Sequence, residues 1–273
     1  MATLYRLTLE YEGTRYHGWQ EQQNARSVAG ELRRAVQESL QEGNAVKELG
    51  GSGRTDAGVH ALAQTAHLRL ARAVEPEALR REVNDRLPAD IHVLALAAAP
   101  AGFHARHSAL SRSYLYQVSR RRTALAKRYV WWVKRPLALE RMAAAAALLP
   151  GRHDFRLFCE RPAEQPSTLV EVERAEVAAA GSLILFRLVA SHFLWKMVRR
   201  VTGALVQAAA GELDLDLFAA LLAADPARLG GQGRRPPQPA EWTAPPSGLF
   251  LERVLYAGDP PLAPLGAPVV EVS

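Results

Sequence analysis

Cysteine is almost absent: Cys159 is the only one in 273 residues. One thiol excludes an intrachain disulfide framework and any zinc site built on a cysteine cluster, and it fits a reducing cytoplasm. No run of about 18 apolar residues occurs, which argues against a transmembrane helix. The start, Met1-Ala2-Thr3-Leu4-Tyr5-Arg6, is polar and alternating at once and lacks the apolar stretch of a signal peptide. Gly50-Gly51-Ser52-Gly53 lacks the G-K-[ST] ending of a triphosphate loop, and no helical pattern follows it. His60, His67, His104 and His107 fall on separate elements without HxxxH or HxxE spacing. The expectation is a protein with no metal, no cofactor, no nucleotide site and no membrane span.

What is present is a globular composition, 48% hydrophobic and 23% charged, enough for one large domain or two ordinary ones. Lysine and arginine total 34 against 28 acids, for a net charge of +6 and a pI near 9.8. The basic residues recur in pairs and triplets: Arg33-Arg34, Arg80-Arg81, Arg120-Arg121-Arg122, Lys127-Arg128, Lys134-Arg135, Arg199-Arg200 and Arg234-Arg235. Most are arginine, which suits bidentate phosphate contacts. A nucleic-acid partner and a merely solvated arginine-rich surface both fit this pattern.

Periodicity orders the chain. Residues 4–11 alternate, with Tyr5, Leu7, Leu9 and Tyr11 on one face of a strand. Ser27 caps a helix carrying Val28, Leu32, Val36 and Leu40 at helical spacing, and Gly43 ends it. A short strand, 45–49, feeds a glycine turn. The next strand, 61–70, sets Ala66, Leu68 and Leu70 on one face and Thr65, His67 and Arg69 on the other. Pro76 opens a helix to Arg86 and Pro88 stops it. A strand at 91–97 completes strand, helix, strand, strand, helix, strand, the ferredoxin-like split βαβ. A decorated second pass has strands at 112–119, 168–178, 183–190 and 249–256, with helices at 139–149, 194–210 and 214–224. In the 194–210 helix, Leu194, Met197, Val198, Val201 and Leu205 form the buried stripe. Lys196, Arg199 and Arg200 lie on its other side. The reading divides the chain into 1–104, 105–257 and a proline-rich surface tail, 258–273.

The chemistry concentrates in Gly51-Ser52-Gly53-Arg54-Thr55-Asp56-Ala57-Gly58-Val59-His60-Ala61. Glycines there permit positive φ and the close approach of another molecule. Asp56 beside Arg54 is placed to stay ionised through an ion pair and to meet a substrate. A turn-stabilising aspartate is the plain alternative. The eight residues from Gly53 to His60 match the G-R-T-D-A-G-V-H active-site motif of the TruA-type tRNA pseudouridine synthases, which the chain resembles almost throughout, over residues 4–256. Tyr11-Glu12-Gly13-Thr14-Arg15-Tyr16-His17-Gly18-Trp19-Gln20 resembles that family's Y-D-G-x-x-Y/F-x-G-W-Q opening, with Glu12 for the usual aspartate. Val83-Asn84 with Leu87-Pro88-Ala89-Asp90-Ile91, Phe103-His104-Ala105-Arg106, Arg112 with Tyr114 and Tyr116, Phe193 with Met197-Val198-Arg199, and Gly248-Leu249 with Leu251 resemble further family motifs. Residues 158–169 depart from the family pattern, so that loop's tRNA contacts are not transferred.

The resemblance implies an α+β fold of two ferredoxin-like (RRM-like) halves. They would join into one long, mostly antiparallel sheet, with helices on one face and an RNA-binding cleft on the other. It implies a cytoplasmic homodimer that isomerises uridine to pseudouridine at positions 38, 39 and 40 of the tRNA anticodon stem-loop. Asp56 is then the catalytic residue, and the sequence does not choose between attack on C1′, attack on C6 and a base role. Tyr114 is the platform for the flipped base, Arg54 fills the gap the base leaves, and Leu249 lines the uracil pocket. Phe103, His104, Ala105, Arg106, His107 and Arg199 contact RNA. Trp131, Trp132 and Trp195 are read as core or dimer contacts. A non-catalytic RNA-binding or RNA-chaperone protein on the same fold is the alternative. An anion in an intact motif speaks against it, because a pure binder gains nothing from a carboxylate facing phosphates.

Overall fold

The computed structural model describes residues 2–229 and 237–268. The fold is mixed α+β with a large, mostly antiparallel sheet. Contacts divide it into two compact units. The first takes the chain up to Leu110 together with Phe250–Asp259; the second takes Ser111–Leu249 and the residues after Asp259. The last strand thus groups mainly with the first unit, whereas the sequence reading carries it in the second half.

The first unit runs β1 (Thr3–Tyr11), α1 (Val28–Ser39), β2 (Val46–Gly51), β3 (His60–Leu70), α2 (Pro76–Arg86) and β4 (Ile91–Ala98). Tyr5, Leu7, Leu9 and Tyr11 are all buried, as the alternation of β1 requires. The Ser27 hydroxyl accepts from the Gly30 N–H at 3.3 Å and caps α1. Leu32 and Val36 on its inner face are fully buried, each contributing about 1.5–3 kcal/mol. Pro76 starts α2, and the Glu75 carboxylate accepts from the Ala78 N–H at 2.6 Å. Strands pair antiparallel in the order β4-β1-β3-β2, the ferredoxin arrangement. β3 differs from expectation on its polar side, because Thr65 and His67 are as buried as its apolar residues, and Gln64 is buried on the face of Ala66, Leu68 and Leu70. The segment 103–107 covers His67, whose Nδ1 accepts from the Ala105 N–H at 3.2 Å.

The second unit contains β5 (Ser111–Ser119), β6 (Trp131–Trp132), α3 (Leu139–Ala146), β7 (Gly151–Asp154), β8 (Leu169–Ala180), β9 (Leu183–Ala190), α4 (Met197–Ala210), α5 (Leu215–Leu222) and α6 (Pro226–Leu229). β10 (Leu249–Leu255) follows, and its Phe250 and Leu251 pair in parallel with His60 and Ala61 of β3 inside the first unit. Antiparallel pairing orders the second unit's sheet β5-β9-β8-β7, with β6 parallel on β5. Strands of two and four residues, β6 and β7, are too short to show a period, and the sequence reading omits them.

α4 starts at Met197, not Leu194. Lys196 at its N-cap adopts φ +61°, so the helix starts about one turn later than the apolar stripe suggests. Arg200 is not on a polar face: it is buried, held by the Glu160 carboxylate and the Cys159 carbonyl. Its long stem reaches partners on the strap before β8, which no helical wheel contains. Arg234 and Arg235, and residues 269–273 of the expected tail, lie outside the described residues. No helix among the described residues is long and apolar enough to cross a membrane.

Candidate active site

The turn between β2 and β3 carries Asp56, and the residues that follow β1 clasp it. The Trp19 N–H donates to the Thr55 carbonyl at 3.2 Å, and the Gly58 N–H donates to the Tyr16 carbonyl at 3.3 Å. The Val59 N–H closes the turn onto the Asp56 carbonyl at 3.1 Å. Gly18, at φ +92°, lies so close that an added Cβ would sit 2.3 Å from the Thr55 carbonyl oxygen. At Gly13 a Cβ would sit 2.0 Å from the Val59 oxygen. Only glycine allows main chain to pack on main chain at this distance. Side chains complete the clasp. The Tyr11 and Thr55 hydroxyls are 2.8 Å apart, and burial pushes the Tyr11 phenol far above its usual range, so it stays neutral. The Ser52 hydroxyl donates to Gln64 Oε1 at 2.6 Å, and Gln64 Nε2 donates to the Gly53 carbonyl at 3.2 Å.

Asp90, from the stretch Leu87-Pro88-Ala89-Asp90-Ile91, holds the clasp from its far side. Its carboxylate accepts from the Tyr16 hydroxyl and its carbonyl from the Glu12 N–H at 2.9 Å. Glu12 accepts from both the N–H and the hydroxyl of Thr14, so the longer acid still caps the short turn at Gly13–Arg15. The result is a half-buried carboxylate next to the buried Thr55, with Arg54 and Ala57 of the same turn exposed. The opening motif signals Gly18 and Trp19 in the sequence; nothing local signals Gln64.

The expected RNA-contacting residues Phe103 to His107 form one anchored turn in the same unit. The Tyr256 hydroxyl donates to the Ala105 carbonyl at 2.6 Å, and the Phe103 ring lies 5.3 Å from that of Tyr256. Ala105 is buried, while Arg106 and His107 are exposed. The fold also gathers what spacing keeps apart: Glu48, His67 and His104 place their side-chain donor atoms within 4.8 Å of one another. Their hydrogen bonds oppose metal ligation. Nδ1 of His67 accepts from Ala105, and Nδ1 of His104 accepts from the N–H groups of Arg106 and His107 at 3.1 and 3.3 Å. With Nδ1 accepting in each ring, the ring N–H is on Nε2, the atom a metal would need. Nε2 of His67 faces a Glu48 oxygen at 3.2 Å, and that contact lowers the Glu48 pKa. Burial, followed by the neighbouring His67 and His107, lowers the His104 pKa, which keeps the ring neutral.

In the second unit, Tyr114 of β5 stands half-buried, edge-on to Phe193 at 4.8 Å. Arg199 Nε donates to the Ala244 carbonyl at 2.7 Å, and the Ala244 N–H returns a bond to the Arg199 carbonyl at 3.0 Å. Gly248 abuts the Tyr116 ring, whose hydroxyl donates to the Pro245 carbonyl at 2.7 Å. That packing seats the buried Leu249 at the head of β10. Several expected basic clusters are compensated by acids. Arg33 pairs with Glu21, Arg34 with Glu31 and Glu38, and Arg80 with Glu77, at 2.6 to 3.0 Å.

The carboxylate of Asp56 thus sits on the clasped turn that joins β2 to β3 of the ferredoxin-like unit. The tRNA pseudouridine synthase family matches residues 8–108 and 145–257, and the chain belongs to that family. It is similar to the tRNA pseudouridine synthase A of Mesorhizobium japonicum, 41% identical over 92% of this chain and 98% of the relative. The Agrobacterium fabrum protein of that name is 38% identical over 92% of each chain. One from a Geobacillus species is 33% identical over 94% of this chain and 99% of its own length. The chain is thus an isomerase that converts uridine to pseudouridine in tRNA, and the non-catalytic alternative falls away.

Proposed function

We propose that this enzyme acts in the cytoplasm, as a homodimer, on uridines 38, 39 and 40 of the anticodon stem-loop, with Asp56 as its catalytic residue. The reaction breaks C1′–N1, turns the uracil and forms C1′–C5; the C5 proton leaves to solvent and N1 takes up a proton, so atoms balance. It consumes no oxidant, nucleotide or metal. The ionised Asp56 serves as nucleophile or base, and the clasp holds its main chain still while the base moves. Tyr114 stacks on the extruded uracil, Leu249 lines the space around it, and Arg54 replaces it in the RNA stack. Phe103 to His107 and Arg199 hold the surrounding backbone. The observation that carries this reading is Asp56 within an eight-residue motif match, on a turn locked by the residues of a second matching motif.

The test is Asp56→Asn, which keeps the shape and removes the anion. Release of tritium from uridine C5 should fall at least about a thousandfold while tRNA affinity stays within about threefold, since phosphate contacts dominate affinity. Activity within tenfold of the parent removes Asp56 from the mechanism. Mapping pseudouridine in tRNA reacted with the parent checks the three positions directly.

A further inference from the structure

One exposed indole and two cations stand together on the second unit. Trp195 is 41% exposed, although its sequence neighbours Leu194 and Met197 are buried, so of the core or dimer contact that the sequence suggests, it is not the core one. The Arg161 guanidinium lies 5.4 Å and the Lys196 ammonium 5.5 Å from its ring centroid.

The arrangement is built rather than incidental. The Glu160 N–H donates to the Trp195 carbonyl at 2.9 Å. The Glu160 carboxylate pairs with the buried Arg200 and, at 3.5 Å, with Lys196. Arg161 and Lys196 have φ of +47° and +61°. Among the described residues only Ala224 shares that region without being glycine. A residue with a Cβ is held there only where its surroundings over-determine it, and such positions gather at functional sites. Lys196 also stands at the N-cap of α4 and caps it with no side-chain hydrogen bond, so the positive end of the helix dipole adds to the two cations. The nearby acids do not cancel this surface. Glu160 is shared between the closer Arg200 and Lys196, and the Arg161–Glu164 pair at 3.5 Å is more than 60% exposed on both sides, so a phosphate exchanges for it readily.

An accessible aromatic face between two cations suits an unstacked nucleotide, with the base on the ring and its phosphates on the cations. We propose that Trp195, Arg161 and Lys196 form a second RNA contact, which grips an unstacked nucleotide of the tRNA away from the target uridine. This rests on the reading of the chain as a tRNA enzyme. A second copy of the chain is the less suitable occupant, because the patch would ask a like-charged surface to cover two cations.

The experiment uses the full chain, whole tRNA and the variants Trp195→Ala, Trp195→Phe and Arg161→Ala. Filter binding is run over a salt series, with thermal unfolding and light scattering on each protein. Trp195→Ala should weaken tRNA binding about tenfold, within the range for loss of one stacked base, and Trp195→Phe should restore most of it. Arg161→Ala should make the log–log salt slope shallower by about 0.7–0.9, one phosphate contact. Quenching of tryptophan emission by tRNA should be smaller in Trp195→Phe than in the parent. Binding of Trp195→Ala within twofold of the parent overturns the proposal. So does a change of oligomeric state at unchanged tRNA affinity, which makes the patch a protein contact. Loss of C5 tritium release in the parent itself would instead count against the enzymatic reading and leave the binding result standing.

Discussion

The Asp56 turn and the strap at 158–164 are both irregular segments leading into long strands, but different forces hold them. The turn is held by main chain: three backbone hydrogen bonds, two glycines passing under carbonyls, and a buried tyrosine–threonine bond. The strap is held by charge: Glu160 reaches Arg200 and Lys196, and Arg161 lies over Trp195. A reacting carboxylate must sit within a fraction of an ångström of its target, and short contacts between fixed backbones deliver that. A surface that grips a flexible substrate needs long side chains that can trade partners. The difference between the segments is the difference between positioning and holding.

The largest effect should come from placing one methyl group in the clasp. Gly18→Ala puts a Cβ 2.3 Å from the Thr55 oxygen at a φ that alanine avoids. It should cost more than about 3 kcal/mol in urea unfolding and lower turnover at least about a hundredfold. Gly53→Ala, in the same motif, meets nothing within 4 Å and should change stability by less than about 1 kcal/mol. Equal losses in the two variants would show that glycine content, not backbone proximity, governs the turn.

Next comes Glu160→Ala, which leaves the Arg200 guanidinium buried without its carboxylate. Removing one partner of a buried pair costs about 3–5 kcal/mol. Glu160 is partly exposed, so about 2 kcal/mol is expected here, with turnover at saturating tRNA changed far less than in Gly18→Ala. Arg200→Met, which removes the charge itself, should be milder in thermal unfolding. If Glu160→Ala is harmless, charge does not hold the strap and the contrast with the turn collapses.

The smallest effect should be at α1. Arg34→Ala breaks exposed pairs with Glu31 and Glu38, and stability should move by less than about 0.5 kcal/mol. The tRNA salt slope should not move either, because that charge is already compensated. A slope shallower by a whole contact would restore α1 as part of the RNA surface.

The sequence determined by itself whatever depends on near neighbours. Period-two alternation placed β1, helical spacing placed α1, proline placed both ends of α2, and eight consecutive residues singled out the Asp56 turn as the candidate site. Each signal is local because side-chain direction repeats within a strand or helix. Tertiary structure alone decided the rest. Gln64 becomes a support of the turn, Arg200 leaves its polar face for a carboxylate 40 residues away, and Glu48, His67 and His104 converge from three elements. It also turned Trp195 outward between two cations and grouped Phe250–Asp259 with the first unit. These outcomes rest on hydrogen bonds and ion pairs between residues distant in the chain. Their energies arise only when folding removes water from both partners at once, and no pattern within one segment encodes that.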